Sequence, residues 1–333
     1  SKIESRRAMV PRASYLDKLL TLEKADAVTI ITGVRRCGKS SLLKLYAEHL
    51  IAEGVPDSQI IEINFESMAF DELTNPMELH RYVQEKVGDV GDGKRLHLLI
   101  DEVQEVERWA RTVNSLKASF PVDICVTGSN SRLFAGQDLT YLSGRYVKLD
   151  MYPLSLSEFE TFRMVFPSDE LVPGSNVFPQ SHENVFQSFL QEGSFPAVAL
   201  AKDKEVRQAL LEGIVDSVIM RDVVQRGGID NEAAFRRVAR FAFDNIGSFL
   251  SANKIANTLK AGGHSINPGT VDRYLELMCD AFVLYRCQRY DIKGRELLRT
   301  NPKYYVVDPG LRNAFLGERS WDLGHILENL VYL

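Results

Sequence analysis

Residues 33–40 read Gly33-Val34-Arg35-Arg36-Cys37-Gly38-Lys39-Ser40, the pattern GxxxxGK[ST], with an apolar run from Val28 to Thr32 before it and an amphipathic run after it. Glycines let such a loop curl until its backbone N–H groups face an anion, and the start of the following helix adds a favourable field. The arrangement works only where a buried strand delivers the loop and a helix leaves it. The chain is therefore expected to build an α/β domain, a parallel sheet with helices on both faces.

The rest of the first half agrees with that expectation. Five short apolar runs read as strands: Val28 to Thr32, Ile60 to Phe65, Leu96 to Ile100, Val122 to Thr127 and Arg145 to Met151. Amphipathic stretches lie between them. One opens at Lys39-Ser40 and puts Leu42, Leu43, Tyr46 and Leu50 on one face. Another starts at Asn75-Pro76, an N-cap residue followed by proline at the first helical position.

The loop is expected to hold the phosphates of ATP through Gly33, Val34, Arg35, Arg36, Cys37, Gly38, Lys39, Ser40 and Ser41. Lys39 would reach the β- and γ-phosphates, and Ser40 would offer a hydroxyl to Mg²⁺. Arg35 and Arg36 either contact phosphate or lie as solvated surface arginines, and Cys37 reads as filler. The run Leu96-His97-Leu98-Leu99-Ile100-Asp101-Glu102 is a strand that ends in two carboxylates, where an open sheet places its ligand groups. This resembles the Walker B pattern. Asp101 would hold Mg²⁺, and Glu102 would orient the water that attacks the γ-phosphate. Ser129, in Gly128-Ser129-Asn130, is a γ-phosphate sensor or a generic turn residue. Arg145 is an arginine finger for a neighbouring subunit of a homo-oligomer or a member of a structural ion pair. His97, inside an apolar strand, reads as a satisfied core histidine rather than a ligand.

From Leu154 the pattern turns helical. Glu158 to Phe166, Asn184 to Gln191 and Glu205 to Gln225 read as helices, with a Pro/Gly/Ser-rich stretch from Pro167 to Pro179 among them. Beyond Gly227-Gly228 come Glu232 to Asn245, Ala252 to Lys260 and Gly269 to Cys279, then apolar runs Phe282 to Tyr290 and Lys303 to Val307 around a basic segment, Asp291 to Asn301. Three helices followed by a β-hairpin describe a winged helix. Gly269 to Cys279 would be its recognition helix, carrying Arg273, and Asp291 to Asn301 its wing, carrying Lys293, Arg295 and Arg299. Double-stranded DNA is one expected partner; packing against the ATPase unit or another protein is the competing one. Ser248 to Arg312 holds ten Lys or Arg against six Asp or Glu, a net of +4 within a chain of net charge -5, an asymmetry that points to an anionic partner or is ordinary surface.

With 333 residues, 45% hydrophobic and 26% charged, the chain is expected to form two or three soluble globular units. No apolar stretch is long enough for a membrane span, and the opening SKIESRR lacks the apolar core of a signal peptide, so the expected location is cytoplasmic. Cys37, Cys125, Cys279 and Cys287 show no metal-ligand spacing and are expected reduced.

The glycine-rich octet, Leu98-Leu99-Ile100-Asp101-Glu102-Val103-Gln104 with Trp109, Thr127-Gly128-Ser129, Gly144-Arg145 and Pro153-Leu154-Ser155 with Glu158-Phe159 together resemble the prokaryotic AAA-type ATPases fused to a C-terminal domain of unknown function. Later landmarks follow in the same order: Gly193-Ser194-Phe195-Pro196, Arg221-Asp222, Lys303-Tyr304-Tyr305 with Asp308, Gly310-Leu311-Arg312, and Gly324-His325 with Leu327-Glu328-Asn329. The resemblance implies a P-loop NTPase unit over 1–153, a helical lid over 154–230, a winged helix over 231–315 and, over 316–333, the start of a restriction-endonuclease-like module. Glu328 matches that module's first helix. The acidic and lysine positions a nuclease needs are absent, so nuclease activity does not carry over.

Overall fold

In the computed structural model the described residues are 9–91, 94–131, 140–142, 144–165, 182–288, 301–317 and 323–333. They divide into two compact units, one made of 1–33 and 38–151 and the other of 34–37 and 152–333. The loop's middle four residues thus group with the later part of the chain.

In the first unit, β1 (Val28–Thr32) is buried at all five positions, as a central parallel strand covered on both faces must be. With β2 (Ile60–Asn64), β3 (Leu96–Asp101), β4 (Val122–Gly128) and β5 (Tyr146–Asp150) it forms a sheet ordered β2-β3-β4-β1-β5 in which every pairing is parallel. The strands are joined or flanked by α1 (Ala13–Glu23), α2 (Lys39–Ala52), α3 (Pro76–Val90) and α4 (Trp109–Ser119). Adjacent residues of a strand point to opposite faces. Leu98 and Ile124 accordingly join Leu79 and Val83 of α3 and Val113 and Leu116 of α4 in one core, while Leu99 and Cys125 line a small cavity together with Leu19 of α1 and Tyr46 of α2. Asn75 caps α3 as its sequence indicates, its Oδ1 accepting from Met77 N at 2.9 Å.

The second unit contains α5 (Leu156–Val165), α6 (His182–Glu192), α7 (Pro196–Leu200), α8 (Lys204–Val215), a π-helix (Asp216–Gln225), α9 (Glu232–Asp244), α10 (Ala252–Ala261) and α11 (Pro268–Asp280). The antiparallel pair β6 (Leu284–Cys287) and β7 (Lys303–Val306) follows, then α12 (Pro309–Leu316) and α13 (Leu323–Tyr332). An isolated antiparallel bridge joins Phe249, between α9 and α10, to Lys303. The single helix expected over Glu205 to Gln225 is instead an α-helix that passes into π geometry. Arg226 N bonds Arg221 O, five residues back, at 3.1 Å. The Pro167 to Pro179 stretch lies outside the described residues.

Several landmark residues meet in one polar knot. Asp308 is fully buried and caps α12, its Oδ1 accepting from Leu311 N at 2.7 Å. Its Oδ2 accepts from Ser194 N at 2.6 Å and Ser194 Oγ at 2.8 Å. Gly193 adopts φ +80° beside it, and a Cβ there would run into the carboxylate. The Gly193-Ser194 turn and α12 are thereby fixed to each other across more than a hundred residues of sequence. Replacing Asp308 by Ala strands two buried N–H groups and a hydroxyl, so the second unit should lose on the order of 3 kcal/mol. Urea unfolding followed by circular dichroism measures the loss, and an unchanged midpoint would refute the role given to the knot.

Candidate functional site

The loop after β1 holds its curled shape through three residues in the left-handed half of backbone space: Gly33 (φ 155°), Arg36 (φ 70°) and Gly38 (φ 109°). Gly38 is the N-cap of α2, and at φ 109° any side chain would be strained. Val34 and Cys37 are buried, Arg36 and Ser41 are exposed, and Cys37 N bonds Val34 O at 3.3 Å. Lys39 is 4% exposed, and its Nζ donates to Gly33 O at 2.9 Å, so the ammonium folds back over the loop it belongs to. Arg35 departs from the expectation of a solvated arginine. It is 6% exposed, with Nη1 3.7 Å from Asp222 Oδ1 of the π-helix.

Register brings the second half of the site together. Ile100 of β3 pairs with Val126 of β4, so the next residues, Asp101 and Thr127, stand side by side at the carboxyl ends of their strands. The Thr127 hydroxyl donates to Asp101 Oδ1 and accepts from Glu102 N at 3.0 Å. Asp101 and Glu102 are both buried. Glu102 takes φ +56°, an uncommon and costly conformation for a residue with a side chain. Its Oε2 accepts from Ser129 Oγ at 3.1 Å and from Gln104 Nε2. Ser129, itself fully buried, therefore acts on Glu102. Thr127 and Gln104 join the site without a role expected from the sequence, although both lie within its motifs, Thr127-Gly128-Ser129 and Leu98 to Gln104. A threonine at the last turn-in of a strand neighbouring the carboxylate strand was the available signal.

The donor set fits a hydrated divalent cation with a polyphosphate. The hydroxyl of Ser40 and the carboxylate of Asp101 lie close enough for Ser40 to pull the carboxyl's pKa down, and Lys39 and the first amides of α2 supply positive potential beside them. Burial dominates nonetheless and raises the Asp101 pKa above its ordinary value; Ser40 and Thr127 oppose it, Glu102 reinforces it and Lys39 opposes it.

Other expected site residues lie elsewhere. Arg145 is exposed and immediately precedes β5, with its carbonyl accepting from Val28 N at 3.0 Å. It stands at the start of β1, whereas the loop leaves from the end of that strand, about 17 Å away at the usual rise per residue. Its own subunit's loop is out of reach. Arg273 of α11, expected to face DNA, instead turns onto the end of the π-helix: its Nη2 donates to Gly227 O at 2.7 Å and Gly228 O at 3.3 Å. Lys293, Arg295 and Arg299 lie outside the described residues. His97 is not a satisfied core histidine. Its Nδ1 is buried without a hydrogen bond, 3.8 Å from Glu23. Glu23, His97 and Asp123 each bring one ligating atom within 4.8 Å of the others, but Lys117 and Arg95 already pair with Asp123 at 3.4 Å each. The four cysteines are free thiols, and no described helix is long and apolar enough to cross a membrane.

Comparison with known proteins agrees with this geometry. The sequence matches an AAA domain family over residues 25–160 and a domain of unknown function, DUF8612, over residues 183–322. It is similar to an uncharacterized protein of Haemophilus influenzae, with 35% identity covering 98% of this chain and 78% of the relative. A second relative, from Methanocaldococcus jannaschii, is 28% identical over 92% of this chain and 66% of its own length. The fold is similar to that of a Walker-type ATPase of Pyrococcus abyssi, with a TM-score of 0.62 at 16% identity, covering 93% of this chain and 97% of that one.

The raised pKa of Asp101 sets the sign of a stability effect. A carboxyl whose folded pKa is raised contributes stability below its unfolded pKa and loses that contribution as pH rises through the folded value. Without magnesium at pH 7.5, Asp101→Asn should therefore melt at a higher temperature than the wild type, and the gap should close towards pH 4. Differential scanning calorimetry at the two pH values tests this; an equal or lower melting temperature at pH 7.5 would contradict the burial argument.

Proposed function

Because the chain belongs to the family that joins an AAA domain to a C-terminal domain of unknown function, we propose that it binds ATP with Mg²⁺, hydrolyses it, and couples nucleotide state to the arrangement of its later helices. The observation that carries this reading is the Asp101-Thr127-Glu102-Ser129 array beside Lys39. In this reading Lys39 leaves the Gly33 carbonyl for the β- and γ-phosphates, while the loop amides orient the chain of phosphates. Ser40 and Asp101 would hold Mg²⁺, which would supply charge neutralisation at the phosphate oxygens. Glu102, steadied by Ser129 and Gln104, orients a water in line with the γ-phosphate and accepts its proton. The water oxygen forms the new bond to phosphorus as the bond to the β–γ bridging oxygen breaks, and the products are ADP and inorganic phosphate.

Residues 154–230 are assigned as the lid, 231–315 as a winged helix and 316–333 as the start of a further module. The bridge between Phe249 and Lys303 supports the winged helix, since it adds to the hairpin a short third segment between the first two helices of the motif. A slow-turnover, nucleotide-controlled adaptor for a protein partner is the second reading. It is favoured by the internal engagement of Lys39, Arg35 and Arg273. Duplex DNA would then depend on the wing, with Lys293, Arg295 and Arg299 meeting phosphates.

Three measurements test these assignments. Lys39→Ala should weaken ATP binding by roughly 10- to 100-fold, the equivalent of a charge-assisted bond, whereas Glu102→Gln should bind normally and lose at least about 100-fold in phosphate release. Wild-type turnover in Glu102→Gln would overturn the catalytic assignment. If Arg145 completes a neighbour's site, Arg145→Ala should lose turnover alone, and mixing it with Glu102→Gln should restore some at hybrid interfaces; activity independent of concentration in a strict monomer would end that idea. For DNA, replacing Lys293, Arg295 and Arg299 by Ala should reduce the salt slope of binding by up to roughly three units, while Arg273→Ala should leave it unchanged. Absence of duplex binding at low salt, with the variant and wild type folded, would leave a protein as the partner.

A further inference from the structure

The π-helix over Asp216–Gln225 contains one nearly sequestered acid. The Asp222 side chain is 2% exposed, and its Oδ1 lies 3.2 Å from Arg226 Nη1, one turn further along, and 3.7 Å from Arg35 Nη1 in the phosphate-binding loop. Arg35 belongs with Asp222 in the second compact unit, as do its loop neighbours from Val34 to Cys37. The loop that ends β1 is thus held at its crown by a carboxylate nearly two hundred residues away in sequence.

Three features mark this pair as more than packing. Extended π geometry is rare and is found mostly where function has kept it against its cost. The guanidinium is planar, permanently charged and suited to bidentate bonds with phosphate as much as with carboxylate. It also sits in a loop whose backbone is shaped for anions, so a bound polyphosphate would compete with Asp222 for it. The far end of the same π-helix is tied down separately, since Arg273 bonds the carbonyls of Gly227 and Gly228. The segment can therefore respond at Asp222 while its end stays anchored.

We propose that Asp222 is a nucleotide-responsive latch on the phosphate-binding loop. It holds Arg35 while no nucleotide is bound, and the phosphates of ATP take Arg35 from it, leaving Asp222 to Arg226 and loosening the π-helical segment. The inference rests on the reading of the loop as an ATP site. Because coupling is reciprocal, an Asp222 that cannot hold Arg35 must change how tightly the loop binds phosphate. Asp222 and Arg35 are positioning residues here, and neither takes part in bond making.

The test is a double-mutant cycle read by titration of a fluorescent, slowly hydrolysed ATP analogue. Asp222→Asn should tighten binding about 5- to 150-fold, the usual range of such coupling. In an Arg35→Gln background the same substitution should change affinity less than about twofold. In the wild type, analogue binding should speed hydrogen exchange of the amides from 216 to 226, and Arg35→Gln should abolish that response. Equal affinity in Asp222→Asn and wild type, or a similar change in both backgrounds, would overturn the latch and leave a structural ion pair. If Asp222→Asn does not fold, the exchange measurement on the wild type and Arg35→Gln decides alone, and no acceleration at 216–226 refutes the proposal. Lys39→Ala separates the two levels. Wild-type binding that Lys39→Ala destroys supports the ATP site whatever Asp222 does, and a wild type that binds no analogue removes both the site and the latch.

Discussion

The hydroxyl of Thr127 sits between two carboxylate residues and bonds into both, donating to Asp101 and accepting from the backbone N–H of Glu102. Two buried acids in succession repel each other and resist losing water, and burial raises the pKa of Asp101 as a result. One small side chain on the next strand offsets part of that penalty and fixes the turn in which Glu102 is forced to φ +56°. The parallel sheet is what makes this possible, because β3 and β4 run the same way and end level. Ser129 and Gln104 then hold the Glu102 carboxylate from two sides. A hairpin sheet would have brought the start of one strand to the end of the other and left the acids unsupported.

The same directional constraint explains why Lys39 and Asp101 share an edge while Arg145 does not. The loop and the acids both follow the carboxyl ends of strands, and Arg145 precedes an amino end. Position along the strand, which sequence order already contains, was enough to separate them once the parallel pairing of β5 with β1 was in hand.

Local signals carried the first unit. The strands at Val28, Ile60, Leu96 and Val122 begin where the apolar runs begin, because a buried strand needs little more than a short apolar run between polar punctuation. The two glycines and Lys39 were legible for the same reason. What escaped was set by distance. Nothing near Arg35 reveals that its counter-ion is Asp222, and nothing near Arg273 reveals that Gly227 and Gly228 present their carbonyls to it. The change from α to π geometry after Val215 was also hidden, since one added residue per turn barely alters an apolar pattern. Helix α12 was a different case. Asp308-Pro309 is a cap followed by proline, a helix start that the local sequence does carry.

At the other end of the chain, Asn329 uses its side-chain amide as if it were a peptide group. Its Oδ1 accepts from Val306 N at 2.7 Å and its Nδ2 donates to Val306 O at 2.8 Å, while Glu328 beside it takes bonds from Lys303 and Tyr305. A two-stranded ribbon ordinarily offers its outer backbone to any extended peptide that drifts past, and chains then stick to each other edge to edge. Here a helix plugs that edge with a counterfeit strand one residue long. Gly247 N and Leu250 N already occupy Tyr304 O and Pro302 O along the same edge, so whatever pulls α13 away does more than unfold ten residues: it bares Val306, the stretch of that edge left to a side chain, as a foothold for a foreign strand.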